Sequence, residues 1–348
     1  IGVNTPELRH YVHGSKLEGL DIEDPVVSLE RHLPEMKKDG AEVIVVLSHT
    51  GFEQPDPTQA SDLTMARALA ARHQQDPDFP KVDLIVGGHT HSRLEQGHEE
   101  CGTLIVQAGG LTHYVGNAEL TFDPTSRKVI GHQARILPVV ADQVAPDPTV
   151  ENILAPYLSE AAEVGSRPMG QAEQPLRHGH REAAKLNQIH ADSLLEKTDA
   201  ELVVCNSRTL RSDVPAGEVS YAQLYTALPF TEDLAVTITA TGKMVRAILE
   251  DGVNDGAREL AIPAGLRYTY DPGLPQGQRV TGVELADGQT LQDDREYRVG
   301  MNWTMSNHPC WDGSRDMKVH GSCQELFLEA FQQGGPWRDD PDDRVSRA

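Results

Sequence analysis

The sequence predicts an α/β fold in two domains. The chain has 348 residues, which is more than a single domain of the usual size and enough to bury a substantial core. Apolar runs at residues 43–47 and 82–86 flank an Ala- and Leu-rich stretch at residues 58–75 that has helical spacing. Strand, helix and strand in this order indicate a sheet with parallel strands. A segment punctuated by proline at residues 138–148 then indicates a link between the domains.

The remaining elements of the first domain follow from local patterns. From Pro25 to Lys38 apolar residues recur at helical spacing, and Gly40 is suited to end that helix. Three further strands are short and are predicted at residues 103–107, 115–122 and 129–137. We expect them to form the outer part of a sandwich-like layer.

A second domain is predicted after a bridging helix at residues 149–164. Residues 165–179 are polar and contain proline, so we expect the compact part of this domain to begin near His180. Its predicted helices are residues 181–197, 221–227, 242–251 and 325–332, and its predicted strands are residues 200–205, 234–240, 267–270, 280–285 and 297–301. The expected organisation is a first domain at 1–140, a linker with the bridging helix at 141–179, a second domain at 180–337, and a solvated charged tail at 338–348.

The composition restricts the partners. The formal net charge is −22, so a nucleic-acid polymer would be repelled rather than bound. No apolar stretch reaches the ~20 residues that span a bilayer. The four cysteines form no C-x-x-C pair, which leaves a Cys310–Cys323 disulfide and free thiols as open alternatives.

Histidines follow two of the predicted strands. His49 stands in Ser48-His49-Thr50-Gly51 after the first strand, and His89 and His91 stand in Gly87-Gly88-His89-Thr90-His91 after the second. The carboxyl ends of parallel strands meet at one edge of a sheet, where α/β proteins build their sites. Neutral imidazole is the commonest metal ligand near neutral pH, and glycine lets the backbone turn sharply beside an ion. The pattern therefore predicts a metal site, although a single histidine in such a place is more often a surface or hydrogen-bonded residue.

These motifs resemble the second half of the calcineurin-like metallophosphoesterases, and within them the 5′-nucleotidase group. The resemblance implies an αββα sandwich that binds two divalent ions, with His49 and His89 at one ion and His91 at the other. The ions could be Mn, Zn, Fe, Co or Mg. It also implies carboxylate and histidine ligands and an Asn-His loop upstream, and no such motif is present in the sequence. We therefore expect the chain to be an N-terminally truncated fragment with an incomplete sandwich, without its own catalytic histidine, and inactive by itself.

The second half of the chain resembles the 5′-nucleotidase C-terminal domain. A strand leads into Ser207-Arg208-Thr209-Leu210-Arg211, and Leu228-Pro229-Phe230 follows. The resemblance implies that Arg211 binds the substrate phosphate and that Phe230 and Trp303 sandwich the base. It also implies that Asp312, in Trp311-Asp312-Gly313, accepts hydrogen bonds from ribose hydroxyls.

Two departures from the family pattern could alter the substrate. Ser207-Arg208-Thr209 replaces a glycine-rich approach, so this loop is bulkier and more basic, and Glu232 stands where the family usually has an asparagine. The alternative roles are ordinary core packing for Phe230 and Trp303, and a structural ion pair for Arg211.

The combined interpretation is a metal-dependent phosphoester hydrolase that acts on small nucleotides and that is periplasmic, secreted or at the cell surface by resemblance. One alternative is a 2′,3′-cyclic nucleotide phosphodiesterase, a nucleotide-sugar hydrolase or a sulfur-ester hydrolase on the same scaffold. The other is an inactive nucleoside-binding or interaction module.

Overall fold

The computed structural model describes residues 1–12, 16–54, 59–257 and 259–348. The chain divides into two compact units, Ile1–Arg9 with His13–Pro148 and His10–Val12 with Thr149–Ala348. No helix within these described ranges is long and apolar enough to cross a membrane. The α/β class predicted from the sequence is confirmed by the strands and helices that follow.

The strands and helices up to residue 138 are β1 (Gly2–Asn4), α1 (Leu8–Tyr11), α2 (Pro25–Lys38), β2 (Val45–His49), α3 (Asp62–Gln75), β3 (Leu84–Val86), β4 (His98–Glu100), β5 (Thr103–Val106), β6 (Tyr114–Asp123) and β7 (Lys128–Pro138). The strand order of the main sheet is β1-β2-β3-β5-β4. Strands β1, β2, β3 and β5 run parallel, and β4 is antiparallel to β5. Strands β6 and β7 pair with each other as an antiparallel hairpin.

Helices α2 and α3 bury their apolar faces in the same core as the sheet. Val46, Ile85 and Ile105 from the strands pack in one cluster with Leu33 and Met65 from the helices, and all are fully buried. Burial of side chains of this size contributes about 1.5–3 kcal/mol each. This core fixes the direction of β2 and β3, and so brings their carboxyl ends to one edge.

Local capping sets the starts of both helices. The Asp24 carboxylate accepts hydrogen bonds from the backbone N–H groups of Val26 and Val27, and Ser61 forms a capping box with Thr64. Helix α3 therefore begins at Asp62. Its predicted start at Thr58 lies outside the described residues.

The elements from residue 148 onward are α4 (Pro148–Gly165), β8 (Pro168–Ala172), α5 (Lys185–Lys197), β9 (Leu202–Asn206), β10 (Gly217–Ser220), α6 (Tyr221–Ala227), β11 (Leu234–Thr241), α7 (Gly242–Val253), β12 (Ala261–Ala264), β13 (Leu266–Tyr270), β14 (Val280–Leu285), β15 (Glu296–Asn302), α8 (Trp303–Ser306), β16 (Arg315–Ser322), α9 (Cys323–Gln333) and β17 (Val345–Arg347). The main sheet has the order β12-β9-β15-β11-β16. Helices α5 and α7 cover it, with Leu194 and Leu249 buried against its strands.

Two parts of the second unit differ from the sequence-based expectation. The polar stretch before His180 contains strand β8, and Met169 and Leu176 are buried in a core with α9. The compact structure therefore starts before the predicted boundary, because these two apolar side chains are enough to anchor a mostly polar segment.

The charged tail is the other difference. Strand β17 pairs parallel with β13, and Arg344 lies between Asp192 and Asp342 at 2.7 Å and 2.6 Å. Only 12% of the Arg344 side chain is exposed. The tail is thus part of the fold and not a solvated extension, since Arg344 pairs both with Asp192 on α5 and with Asp342 of the tail itself.

The cysteines settle one of the open alternatives. All four are free thiols, so the Cys310–Cys323 disulfide is not formed. Cys205 and Cys323 are buried and Cys101 is exposed.

Candidate functional site

The two histidine loops meet at the edge of the first sheet. His49 is the last residue of β2, and His89 follows β3 after two glycines. Their rings are 5.2 Å apart between centroids, in an edge-to-face arrangement. The glutamate oxygen Glu7 Oε2 lies 3.9 Å from His89 Nε2. Two imidazoles and a carboxylate therefore stand close together at this edge.

Unusual backbone geometry places the histidines of the second loop. His89 and His91 have φ angles of 78° and 54°, in the left-handed region that few residues other than glycine adopt. A Cβ atom at Gly88 would lie 2.9 Å from His49 Nδ1, and one at Gly110 would lie 2.7 Å from His91 Nδ1. Larger residues at either glycine would displace an imidazole. Such strain is retained where the surrounding structure enforces it, and it is typical of functional sites.

Hydrogen bonds hold the loops in place. Gln107, just after β5, donates to the carbonyl of Gly88 at 3.1 Å and accepts from the backbone N–H of Ser92 at 2.5 Å. Its side-chain oxygen also accepts from the Thr90 hydroxyl at 3.2 Å, and that hydroxyl accepts from the backbone N–H of Phe52 at 3.0 Å. One glutamine thus ties together the loops that follow β2, β3 and β5.

Asp62 lies beneath both loops. It is fully buried, and Oδ1 accepts a hydrogen bond from the Thr50 hydroxyl at 3.1 Å. A Cβ atom at Gly87 would lie 2.1 Å from Asp62 Oδ2, so the carboxylate occupies the space that this glycine leaves. Burial raises the pKa of Asp62 to about 6, although hydrogen bonds from Ser48 and Thr50 oppose the shift. No local sequence pattern points to a role for Asp62, because only its contacts across the fold reveal one.

The donor chemistry of His49 and His89 fits a divalent transition metal, since imidazole nitrogens suit Zn, Cu, Fe and Ni, and Gly88 clears the space beside the His49 ring. The ligand set is nevertheless incomplete. In the part of the chain that the structure describes, no group of three or more His, Cys, Asp or Glu side chains is arranged to hold a metal ion. The structure brings together His49 and His89 and does not form such a group with His91, which packs on Gly110.

In the second unit Arg211 and Phe230 lie against each other. Arg211 follows the short 3-10 turn Ser207–Thr209, and its guanidinium carbon is 5.0 Å above the centre of the Phe230 ring. The backbone N–H of Arg211 donates to the carbonyl of Ala227 at 2.8 Å, which fixes the loop beside the Pro229-Phe230 segment. The Phe230 side chain is 37% exposed. Core packing therefore does not account for Phe230, and a cation–π contact covers one face of its ring.

Arg211 is half-buried, and no carboxylate of the described ranges forms a salt bridge with it within 4.0 Å. The half-buried carboxylate of Glu259 acts on both Arg211 and Arg208 from a longer distance. Burial lowers the pKa of Arg211, and repulsion from Arg208 adds to this effect. The pKa of His180 is also lowered, first by burial and then by Arg208. The lowered pKa favours neutral His180, so Arg208 and Arg211 alone form a local positive cluster in a chain of strongly negative net charge.

Trp303 and Asp312 lie on the segment that follows β15. Trp303 is the first residue of α8 and is half-buried, packing against the main core of the second unit. Core packing thus accounts for part of its surface. Asp312 is exposed and follows the buried Trp311, whose indole N–H donates to the carbonyl of Met305 at 3.0 Å. The anchor of this loop is therefore Trp311, and Asp312 remains accessible.

Comparison with known proteins identifies the second unit. Residues 164–310 match the family model of the 5′-nucleotidase C-terminal domain. This part of the chain is a 5′-nucleotidase C-terminal domain. The family model spans β8, the loop of Arg211 and Phe230, and Trp303. The resemblance to 5′-nucleotidases of the metallophosphoesterase family, which the sequence motifs indicated, is confirmed.

Relatives extend the likeness to the first unit. The chain is 24% identical over 304 residues to endonuclease YhcR of Bacillus subtilis (strain 168), covering 87% of this chain and 24% of that protein. It is 25% identical over 341 residues to the 5′-nucleotidase of Vibrio vulnificus (strain CMCP6), covering 86% of this chain and 59% of that protein. The chain therefore spans only part of the length of these relatives.

A solved structure supports the fold of both units. The 5′-nucleotidase precursor from Thermus thermophilus matches with a TM-score of 0.70 and 23% identity, over 93% of this chain and 68% of that one. The metallophosphoesterase and C-terminal domain folds expected from the sequence are thereby confirmed.

Proposed function

We propose that the chain is part of a metal-dependent hydrolase that releases phosphate from a small nucleotide, with the second unit binding the nucleotide. The observation that carries this proposal is the contact between Arg211 and Phe230. A half-buried guanidinium without an ion-pair partner among the described residues rests on a partly exposed aromatic ring, within a 5′-nucleotidase C-terminal domain. A nucleotide offers both matching groups, a phosphate and a planar base.

Arg211 is proposed to bind the phosphate. Guanidinium forms paired, charge-assisted hydrogen bonds to phosphate oxygens. An anion here would also offset the repulsion between Arg211 and Arg208 that contributes to the lowered pKa of Arg211. Because the rest of the chain is strongly acidic, this local cluster is where a phosphate would be attracted.

Phe230 is proposed to stack on the base with the face that Arg211 does not cover. Base–aromatic stacking contributes about 1–3 kcal/mol and tolerates different bases. Trp303 is proposed as the second aromatic contact and Asp312 as the acceptor for ribose hydroxyls. The exposure of Asp312 is consistent with that role.

In the first unit His49, His89 and His91 are proposed as metal ligands. Divalent ions bound there would polarise phosphoryl oxygens and lower the pKa of a bound water. The contribution of this chain is positional: Gly88 and Gly110 clear the space for His49 and His91, and Gln107 fixes the loops that carry the histidines. No catalytic acid or base is assigned to this chain.

The test measures binding of AMP and of ribose 5-phosphate to the full chain by calorimetry. Phe230→Ala should weaken AMP binding by about 1–3 kcal/mol and leave ribose 5-phosphate unchanged, because only AMP has a base to stack. Arg211→Ala should weaken both ligands, because both carry the phosphate. Tyr225→Ala, which removes another exposed aromatic of the same unit, is the matched control and should change neither. Equal losses for both ligands in the Phe230 and Arg211 variants would contradict the assignment.

A further inference from the structure

Asp233 connects the two loops that carry Phe230 and Trp303. It lies three residues after Phe230, at the entry to β11, and its backbone N–H donates to the carbonyl of Phe230 at 3.3 Å. Its own carbonyl accepts from the backbone N–H of Cys323 at 2.8 Å, at the start of α9. The backbone of Asp233 therefore fixes the end of the Phe230 loop to the body of the unit.

The carboxylate of Asp233 reaches across to the other loop. It accepts a hydrogen bond from Asn302 Nδ2 at 3.0 Å, and the nearby backbone N–H groups of Trp303 and Thr304 favour its charged form. Asn302, the residue that precedes α8, makes no side-chain cap of its own. Asp233 therefore provides, from another segment, an acceptor at the start of α8.

No cation balances this carboxylate among the residues that the structure describes, since none of their Lys, Arg or His side chains lies within 4.0 Å. Burial raises the pKa of Asp233 to about 6, while the donors from Asn302, Thr304 and Trp303 oppose the shift. Burying a carboxylate without a cation is costly, and the hydrogen bond from Asn302 offsets part of that cost.

We propose that Asp233 is a positioning residue that sets the spacing between Phe230 and Trp303, and thereby determines whether a planar base fits between them. This inference rests on the proposed function of the two aromatic residues. An aspartate suits the task because both of its oxygens are acceptors, and N–H groups of Asn302, Trp303 and Thr304 lie around it. An asparagine has one acceptor oxygen, and its own N–H groups would face at least one of these donors, so the connection would be weakened.

Asp233 changes its charge near neutral pH, whereas the titratable thiols around it do not. Cys205 on β9 and Cys323 on α9 are the thiols close enough to interact with it electrostatically, and burial raises the pKa of both. Both thiols therefore stay neutral in this range. Asn302 and Trp303 do not titrate, and Glu232, the neighbour in sequence, is exposed. Protonation of Asp233 should loosen the connection in the wild-type chain.

The experiment measures adenosine and inorganic phosphate binding to the full chain by calorimetry at about pH 7.5 and about pH 5. Adenosine is chosen because it lacks the phosphate, whose own titration falls in this range. Wild-type affinity for adenosine should fall several-fold at the lower pH. Asp233→Asn should weaken adenosine binding about tenfold at the higher pH, remove the pH dependence and leave phosphate binding unchanged. Asp287→Asn, at an exposed carboxylate of the same unit, is the matched control and should behave as wild type.

The inference is overturned if Asp233→Asn binds adenosine as wild type does, or if it loses adenosine and phosphate equally, which would indicate a general structural defect. The wild-type pH response needs no variant, so a poorly folded Asp233→Asn does not leave the inference untested. An adenosine affinity that is independent of pH in the wild type would also overturn it. Failure of the proposed function is distinguishable, because Phe230→Ala would then bind adenosine as tightly as wild type.

Discussion

Asp62 should make the stability of the first unit depend on pH. In the folded chain burial raises its pKa from an ordinary 3.8 to about 6, so the folded state binds the proton more tightly than the unfolded state does. Stability from this group is therefore fully present at low pH and is lost as pH rises through the window between these two values. Asp62→Asn cannot ionise, and its stability should lack this component.

The magnitude follows from the two pKa values. The full cost of ionising buried Asp62 is about 3 kcal/mol well above pH 6, and about 1.4 kcal/mol of it develops between pH 5 and pH 7.5. The difference in unfolding free energy between wild type and Asp62→Asn should change by about that amount over this range. Any constant effect of the amide on packing or hydrogen bonding cancels in this comparison.

Amide hydrogen exchange provides the assay, because it reports the opening free energy of chosen segments. The relevant amides are those of Val46, Ile85 and Ile105, in the core of the first sheet. Comparing the variants at the same pH cancels the intrinsic exchange rate, and the ratio of wild-type to Asp62→Asn rates should rise about tenfold from pH 5 to pH 7.5. Asp233→Asn, in the other unit, should leave these amides unchanged. A ratio that does not vary with pH would refute the reasoning that Asp62 titrates in a buried, unfavourable setting.

Two further predictions concern a close approach and an ion-pair cluster. Gly88→Ala places a Cβ atom 2.9 Å from His49 Nδ1, so the His49 ring must move, and Zn²⁺ affinity measured by titration should fall at least about tenfold. Gly282→Ala is the control and should have no effect, because a Cβ atom there would have no neighbouring atom within 4 Å. Unchanged Zn²⁺ binding in Gly88→Ala would argue against His49 as a ligand. Arg344→Ala removes the cation between Asp192 and Asp342 and should lower the unfolding free energy of the second unit by about 1–3 kcal/mol. Tryptophan fluorescence can report this unfolding, because all three tryptophans lie in that unit. Arg347→Ala, at an exposed position on the adjoining strand β17, is the control, and equal stability of the two variants would show that the Arg344 contacts contribute little.

Elements that depend on local interactions could be predicted from the amino-acid sequence alone. The predicted bounds Pro25–Lys38 and Tyr221–Ala227 coincide with the observed helices, because capping residues and apolar periodicity act within a few residues of the chain. The histidine loops were also predictable, since glycine and histidine at strand ends report the chemistry of a sheet edge directly. The motif around Arg211 and Phe230 carried the family resemblance for the same reason.

Which polar segments are structured, and which buried groups matter, depends on contacts between parts of the chain that are far apart in the sequence. Strands β8 and β17 have little apolar character, and they form because β10 and β13 offer backbone groups that need partners. Asp62 and Asp233 look like ordinary acidic residues in the sequence. Their importance comes from contacts with residues far away in the chain, Gly87 for Asp62 and Asn302 to Thr304 for Asp233. Burial is a property of the folded chain, so a carboxylate with a pKa near 6 cannot be distinguished from a solvated one until the elements around it are in place.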